Sequence, residues 1–148
     1  MKKIVNTSIL ITLLFFAGAS FVANAQCKNF AKKICKGELG AFTHDGNYHA
    51  AILTEGEEAE LYKTFYSDQE YRLAICGNNN LPPIEFKILD SNKNVLYSNK
   101  DHDYSKTWDF NLESSQQLKL VVKVTSFEQV SDTPASGCVA ILFGFKIK

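Results

Sequence analysis

The chain has 148 residues, 16 Lys or Arg against 16 Asp or Glu, and 45 % apolar residues. That length fits one domain, and the balanced charge excludes a large basic surface, so nucleic acid is not an expected partner.

The N-terminus reads as a bacterial Sec-type signal. Lys2 and Lys3 supply the positive region, residues 9–19 are nearly all apolar, and Ala23-Asn24-Ala25 forms an A-x-A cleavage site. Asn6, Thr7 and Ser8 interrupt the apolar run, which argues against a retained anchor. Gln26, not a small residue, precedes Cys27, which argues against a lipoprotein. Cleavage after Ala25 leaves residues 26–148 as one secreted or periplasmic domain with no stable membrane insertion. That domain loses Lys2 and Lys3 and so carries 14 basic and 16 acidic residues, a formal charge of −2. In an oxidising compartment, Cys27, Cys35, Cys76 and Cys138 are expected to form two disulfides.

Residues 26–36 place Cys27, Phe30, Ala31, Ile34 and Cys35 on one helical stripe, with lysines around the rest. Gly37 is positioned to end this helix. At about three turns it is too short to stand alone, so it must dock on another element. Eight helical steps would separate Cys27 from Cys35 by about 12 Å, beyond the roughly 7 Å reach of a disulfide. The pairings left open are 27 with 76 and 35 with 138, or 27 with 138 and 35 with 76.

Beyond the helix the period becomes two. Seven or eight strands are expected, near 48–54, 58–65, 70–76, 84–89, 95–98, 107–112, 118–124 and 138–147. The segment Gly77-Asn78-Asn79-Asn80-Leu81-Pro82-Pro83 is a loop, because Pro has no donor for a ladder and Gly-Asn clusters turn. Residues 126–137 form a second, polar loop. In EYRLAIC, Tyr71, Leu73 and Ile75 share one face and Arg72, Ala74 and Cys76 the other. In CVAILFGFKI, Val139, Ile141, Phe143, Phe145 and Ile147 oppose Cys138, Ala140, Leu142 and Gly144. Cys76 and Cys138 thus lie on low outer surfaces that can receive the helix. The expected fold is mainly β, an antiparallel jelly-roll-like β-sandwich with one short N-terminal helix stapled to it by disulfides.

The succession GEEAELYKTFYSDQEYRLAICG, IEFKILDSNKNVLYSN, KTWDFNL, LKLVVKV and GCVAILFGFKIK resembles the bacterial pre-peptidase C-terminal domains and related jelly-roll sandwiches over residues 51–148. The chain departs from them in its four cysteines and its N-terminal helix, and in having no attached peptidase. The resemblance implies a free-standing accessory or binding module.

Asp90-x-Asn92-x-Asn94, with Asp101 at the twelfth position, has the opening spacing of a calcium loop, but Val95 stands where such a loop needs Gly. A hairpin turn rich in Asp and Asn is the simpler reading. His44, Asp45, His49, Asp101, His102 and Asp103 supply imidazole and carboxylate without a zinc-like spacing. No metal or cofactor is therefore expected. There is no G-x-S-x-G elbow, and the cysteines are withdrawn as nucleophiles if they are oxidised. Trp108 shares a face with Phe110 and Leu112, as core packing requires. Set beside Tyr97 or Tyr104 on an open surface, it would instead form a shelf for carbohydrate. The function expected is non-enzymatic recognition of an extracytoplasmic protein or glycan through loops, with a carbohydrate-binding module or a small hydrolase as alternatives.

Overall fold

The computed structural model describes residues 20–128 and 132–147, with side chains from residue 25 onward. Residues 1–19 of the expected signal segment fall outside these residues. Among them no helix is long and apolar enough to cross a membrane.

Helix α1 (Ser20–Lys33) runs through the expected cleavage point and ends earlier than its periodicity predicts. The chain tightens into a 3-10 turn over Cys35–Leu39, so Gly37 lies inside that turn instead of capping the helix. Gly40 provides the stop, at φ 54°. The tightening rotates Ile34 off the apolar stripe and leaves it 60 % exposed, while Cys27, Ala31, Cys35 and Leu39 are buried.

Among the described residues nine strands follow, one or two more than the sequence predicts. They are β1 (Thr43–His44), β2 (His49–Thr54), β3 (Glu58–Phe65), β4 (Gln69–Gly77), β5 (Ile84–Leu89), β6 (Val95–Ser98), β7 (Thr107–Asn111), β8 (Gln116–Val124) and β9 (Ser136–Ile147). The unanticipated β1 has only two residues, too few for any periodicity to show. One sheet has β1 and β2 on the same flank of β9, then β4 and β7; the other runs β3-β8-β5-β6. All pairings are antiparallel, and the order from β2 onward is that of a jelly roll.

The alternating residues meet between the sheets. Leu73, Ile75, Val139 and Phe143 from one face Phe86, Ile88, Leu118, Leu120 and Val122 from the other, all buried. Ile147, assigned by its parity to this inner face, is 78 % exposed at the end of β9, where it pairs with Gln69, the first residue of β4.

A second, smaller core lies outside the first sheet. Ala31, Cys35 and Leu39 pack there on Ala74, Cys76, Ala140 and Leu142. A Cβ at Gly144 would come within 2.7 Å of the Phe42 Cβ, so only glycine admits this approach. Two disulfides fasten the layer: Cys27 to Cys138, with Cα atoms 5.2 Å apart, and Cys35 to Cys76, 5.7 Å apart. Of the two pairings compatible with the sequence, this is the one linking the middle of α1 to β9 and the 3-10 turn to β4.

Candidate functional site

Two loops at one end of the sandwich are held with unusual firmness. The β4–β5 loop is closed where the Asn78 backbone N–H donates to the Cys138 carbonyl at 3.0 Å and the Cys138 N–H donates to Asn78 Oδ1 at 2.5 Å. Asn80 Nδ2 donates to the Ser136 carbonyl at 2.9 Å. The Pro83 carbonyl accepts from the Thr125 hydroxyl at 2.8 Å.

Opposite it runs the β6–β7 connection, a 3-10 turn over Asn99–His102 followed by two left-handed residues, Asp103 at φ 52° and Tyr104 at φ 53°. Left-handed backbone costs an ordinary residue roughly 1–2 kcal/mol, and for a bulky tyrosine it is a true outlier. Asn99, 1 % exposed and the one buried polar residue among those described, holds it in place. Its Oδ1 accepts from the Phe86 N–H at 2.8 Å, and its Nδ2 donates to the carbonyls of Ile84 at 2.9 Å and Ser105 at 3.2 Å. The Tyr104 N–H donates to the Asn99 carbonyl at 3.0 Å. Strain that is over-determined by its surroundings concentrates at functional positions.

Between these loops lies a cleft of about 330 Å³, somewhat smaller than the sandwich's lateral opening of about 390 Å³. Its walls include Asn79, Leu81, Pro82, Pro83, Tyr104 and Lys106. Of the aromatic residues proposed from sequence, only Tyr104 lines it. Tyr97 and Trp108 meet elsewhere, stacked at 4.7 Å with planes 16° apart. Trp108 also stacks on Phe110 at 4.3 Å, and both rings pack against the inter-sheet core. His102 lies flat on Tyr97 at 5.0 Å, a partner sequence reading missed because only the turn over Asn99–His102 brings it back over β6. Burial in this stack pushes the Tyr97 hydroxyl pKa up.

The other candidates disperse. Asp90 Oδ1 accepts from the backbone N–H groups of Asn92 at 2.8 Å and Asn94 at 2.9 Å, and its Oδ2 accepts from Asn94 Nδ2 at 2.9 Å. Those bonds, the Asn94 side chain foremost, lower its pKa. The motif therefore closes the β5–β6 hairpin, and Asp101 sits in the separate 3-10 turn. Asp45 bonds Lys63 Nζ at 2.8 Å and caps the Asn47 N–H at 2.9 Å. His44 Nε2 lies 3.0 Å from the Asn47 carbonyl, and His49 sits edge-on to Phe143 at 6.1 Å. Among the described residues no group of three or more His, Cys, Asp or Glu is placed to hold a metal ion.

The lateral opening lies between β2 and β3, where Ala50, Ala51 and Ala59 leave the sheets apart beside Leu53, Leu61 and Ile141. The run of alanines was its only sequence signal.

The strand order and the mainly apolar inter-sheet core define the chain as a jelly-roll sandwich, a fold that carries many unrelated functions. No protein-family model matches the chain, and no curated protein matches it. Among solved structures it is similar to Aeromonas hydrophila PliG, a periplasmic lysozyme inhibitor of g-type lysozyme, with a TM-score of 0.50 and 11 % identity over 72 % of this chain and 89 % of that one. At this identity the likeness is one of fold.

Proposed function

We propose that the chain is a secreted or periplasmic, non-enzymatic binding module that recognises an extracytoplasmic protein or glycan through the loops at the Tyr104 end of the sandwich. The observation that carries this is the strained Tyr104, held by buried Asn99 at the mouth of a cleft. A structural loop with no ligand to meet would gain stability from glycine or asparagine at that position. Two disulfides and an exported-type N-terminus support the location. Kinship with the pre-peptidase C-terminal domains belongs to the same proposal and rests on strand order and turn placement over residues 51–148.

The test is capture of envelope proteins and glycans by the immobilised domain against a copy whose residues 78–83 and 104–106 are replaced by Gly-Ser. Selective capture that disappears in the replaced copy supports the reading, and equal capture by both overturns it. The fold likeness to PliG favours a narrower second reading, inhibition of a g-type lysozyme. A lysis assay with that enzyme tests it, and undiminished lysis at saturating protein would remove it.

A further inference from the structure

We infer that the Tyr104 cleft is a subsite for a saccharide bearing a carboxylate. This rests on the recognition reading above and names its ligand class. The cleft offers three kinds of group: the ring of Tyr104, the amide of Asn79 and the ammonium of Lys106, over an apolar floor that includes Leu81, Pro82 and Ile84. A pyranose presents complementary parts, a C–H face for the ring and hydroxyls for the amide. The ammonium selects an anion. Among the described residues lining the cleft Lys106 is the one formal charge, and no carboxylate opposes it, although the mature chain as a whole is net negative.

Size and rigidity agree. A volume of about 330 Å³ is at the small end of ligand pockets, suited to one or two sugar rings and not to a long chain. Both walls are fixed before any ligand arrives, one by paired prolines and the Asn78 bonds, the other by Asn99. Such preorganisation reduces the ordering cost of binding. An extended acidic peptide fits less well, because it needs a run of unpaired backbone groups. Here the N–H groups of Asn78, Leu81, Tyr104 and Ser105 already donate within the chain, and Pro82 and Pro83 have none to give.

The experiment is a titration of the ¹⁵N-labelled, disulfide-bonded protein with two acidic sugars, digalacturonate and a disaccharide containing N-acetylmuramic acid, alongside neutral cellobiose and tetraglutamate. At least one acidic sugar should shift the amides of Asn79 and Lys106 and bind at least about tenfold more tightly than cellobiose, and which of the two does so identifies the source. Lys106→Gln should abolish that preference. Tyr104→Gly should weaken binding at least about tenfold while melting no lower than the parent, since glycine relieves the left-handed strain. Silence of both acidic sugars at the cleft, or a preference that survives Lys106→Gln, overturns the proposal. If tetraglutamate alone shifts the cleft amides, the saccharide class is overturned and the recognition reading stands. Silence of all four probes also overturns the saccharide class, and the loop-replacement capture then decides the recognition reading separately.

Discussion

The two sheets turn opposite kinds of outer face to the world. On the β9–β4 side the outward positions are Ala74, Cys76, Cys138, Ala140, Leu142 and Gly144, and α1 with its 3-10 extension lies directly on them. On the β3–β8–β5 side the outward positions are Glu58, Glu60, Tyr62, Lys119, Val121, Lys123, Glu85 and Lys87, with Glu60 paired to Lys119 across β3 and β8 at 2.6 Å and Glu85 to Lys87 along β5 at 2.9 Å. Both sheets alternate with period two, so alternation alone does not tell a covered face from a bare one. Residue size and charge at the outward positions do. Small apolar residues leave room for a second layer, whereas charges and β-branched residues form a finished, solvated surface.

The strongest way to break this contrast is to remove the staples. Loop-closure entropy assigns roughly 5 kcal/mol to the Cys27–Cys138 bridge and roughly 4 kcal/mol to Cys35–Cys76. The paired substitution Cys27→Ala with Cys138→Ala should therefore lower the urea midpoint more than Cys35→Ala with Cys76→Ala. It should also free α1, seen as protease cleavage within the helix while the sandwich still melts cooperatively. If the sandwich itself unfolded at room temperature, the outer layer would be part of the main core and the contrast between the faces would fail.

Gly144→Val comes next. The new side chain would begin 2.7 Å from the Phe42 Cβ and 3.2 Å from Leu39 Cδ2, so the 3-10 segment must lift. Overpacking of this kind costs about 1–3 kcal/mol, measurable by denaturant unfolding. Val121→Thr, outward on the bare sheet, should change stability by less than about 0.5 kcal/mol. Equal losses would show that the size of the outward residue is not what decides cover.

This distinction was legible in the sequence because cover is a matter of local composition. Ala74, Ala140 and Gly144 can be read from two strands once their parity is known, and with Cys76 and Cys138 they located the docking face. The long strands were legible for the same reason. Whatever depends on contacts distant in sequence was not. Which cysteine joins which follows from how α1 lies across β2 and β9, and the 3-10 tightening after Lys33 follows from bringing Cys35 over β4. At the candidate site, Tyr104 was visible as an aromatic residue in a polar loop. Its left-handed backbone was not, because it arises where Asn99 ties the turn to β5 through Phe86 and Ile84 and to its own far end through Ser105. Of the two tyrosines set beside Trp108 from sequence, it is Tyr97 that stacks on it, together with Phe110, while Tyr104 lines the cleft.

Arg72 sharpens the contrast at the edge of the covered face. Its Nε and Nη2 each donate to Asp109 at 2.6 Å, its Nη1 reaches the Glu38 carbonyl at 3.4 Å, and its guanidinium lies 4.8 Å from the Phe42 ring centroid. A bidentate pair that also braces the 3-10 segment should be worth about 1 kcal/mol, so Arg72→Ala should lower the urea midpoint accordingly. Arg72→Lys should recover little of it, since an ammonium does not reproduce the fork.

Acid should act where the two sheets are tied together, at Asp45 in the β1–β2 connection and Lys63 on β3. Burial raises the Asp45 pKa, but the Lys63 hydrogen bond and charge with the Asn47 bonds outweigh it and hold the carboxyl below 3.8. Its contribution is present above that value and is lost as pH falls through the lower folded pKa. Burial lowers the His49 pKa below 6.5, with Lys63 and His44 adding to it and Asp45 opposing. The unfolded chain then binds the His49 proton first, so stability falls as pH drops from about 6.5 toward the folded value. Unfolding midpoints measured across pH should show two acid losses, the upper removed by His49→Gln and the lower by Asp45→Asn. A single loss in the parent would mean that one of the two groups is not coupled to folding.

The smallest effect should come from the bare sheet. Lys119 donates to Glu60 and lies 5.7 Å from the Tyr62 ring centroid, yet Glu60 is largely in water and the ammonium is held by a flexible stem. Its pKa is raised, chiefly by the Glu60 hydrogen bond, but solvent and salt screen such pairs. Lys119→Ala should leave the urea midpoint unchanged within error at physiological salt, and Glu60→Gln likewise. The outcome separates two meanings of a charged outer face. If the pair contributes nothing to stability, the ladder keeps this sheet soluble and single, as charged outward positions do on exposed sheets. A loss as large as that of Arg72→Ala would show that the Glu60–Lys119 pair braces its sheet as Arg72 braces the other. Charge at the outward positions would then no longer distinguish the bare face from the covered one.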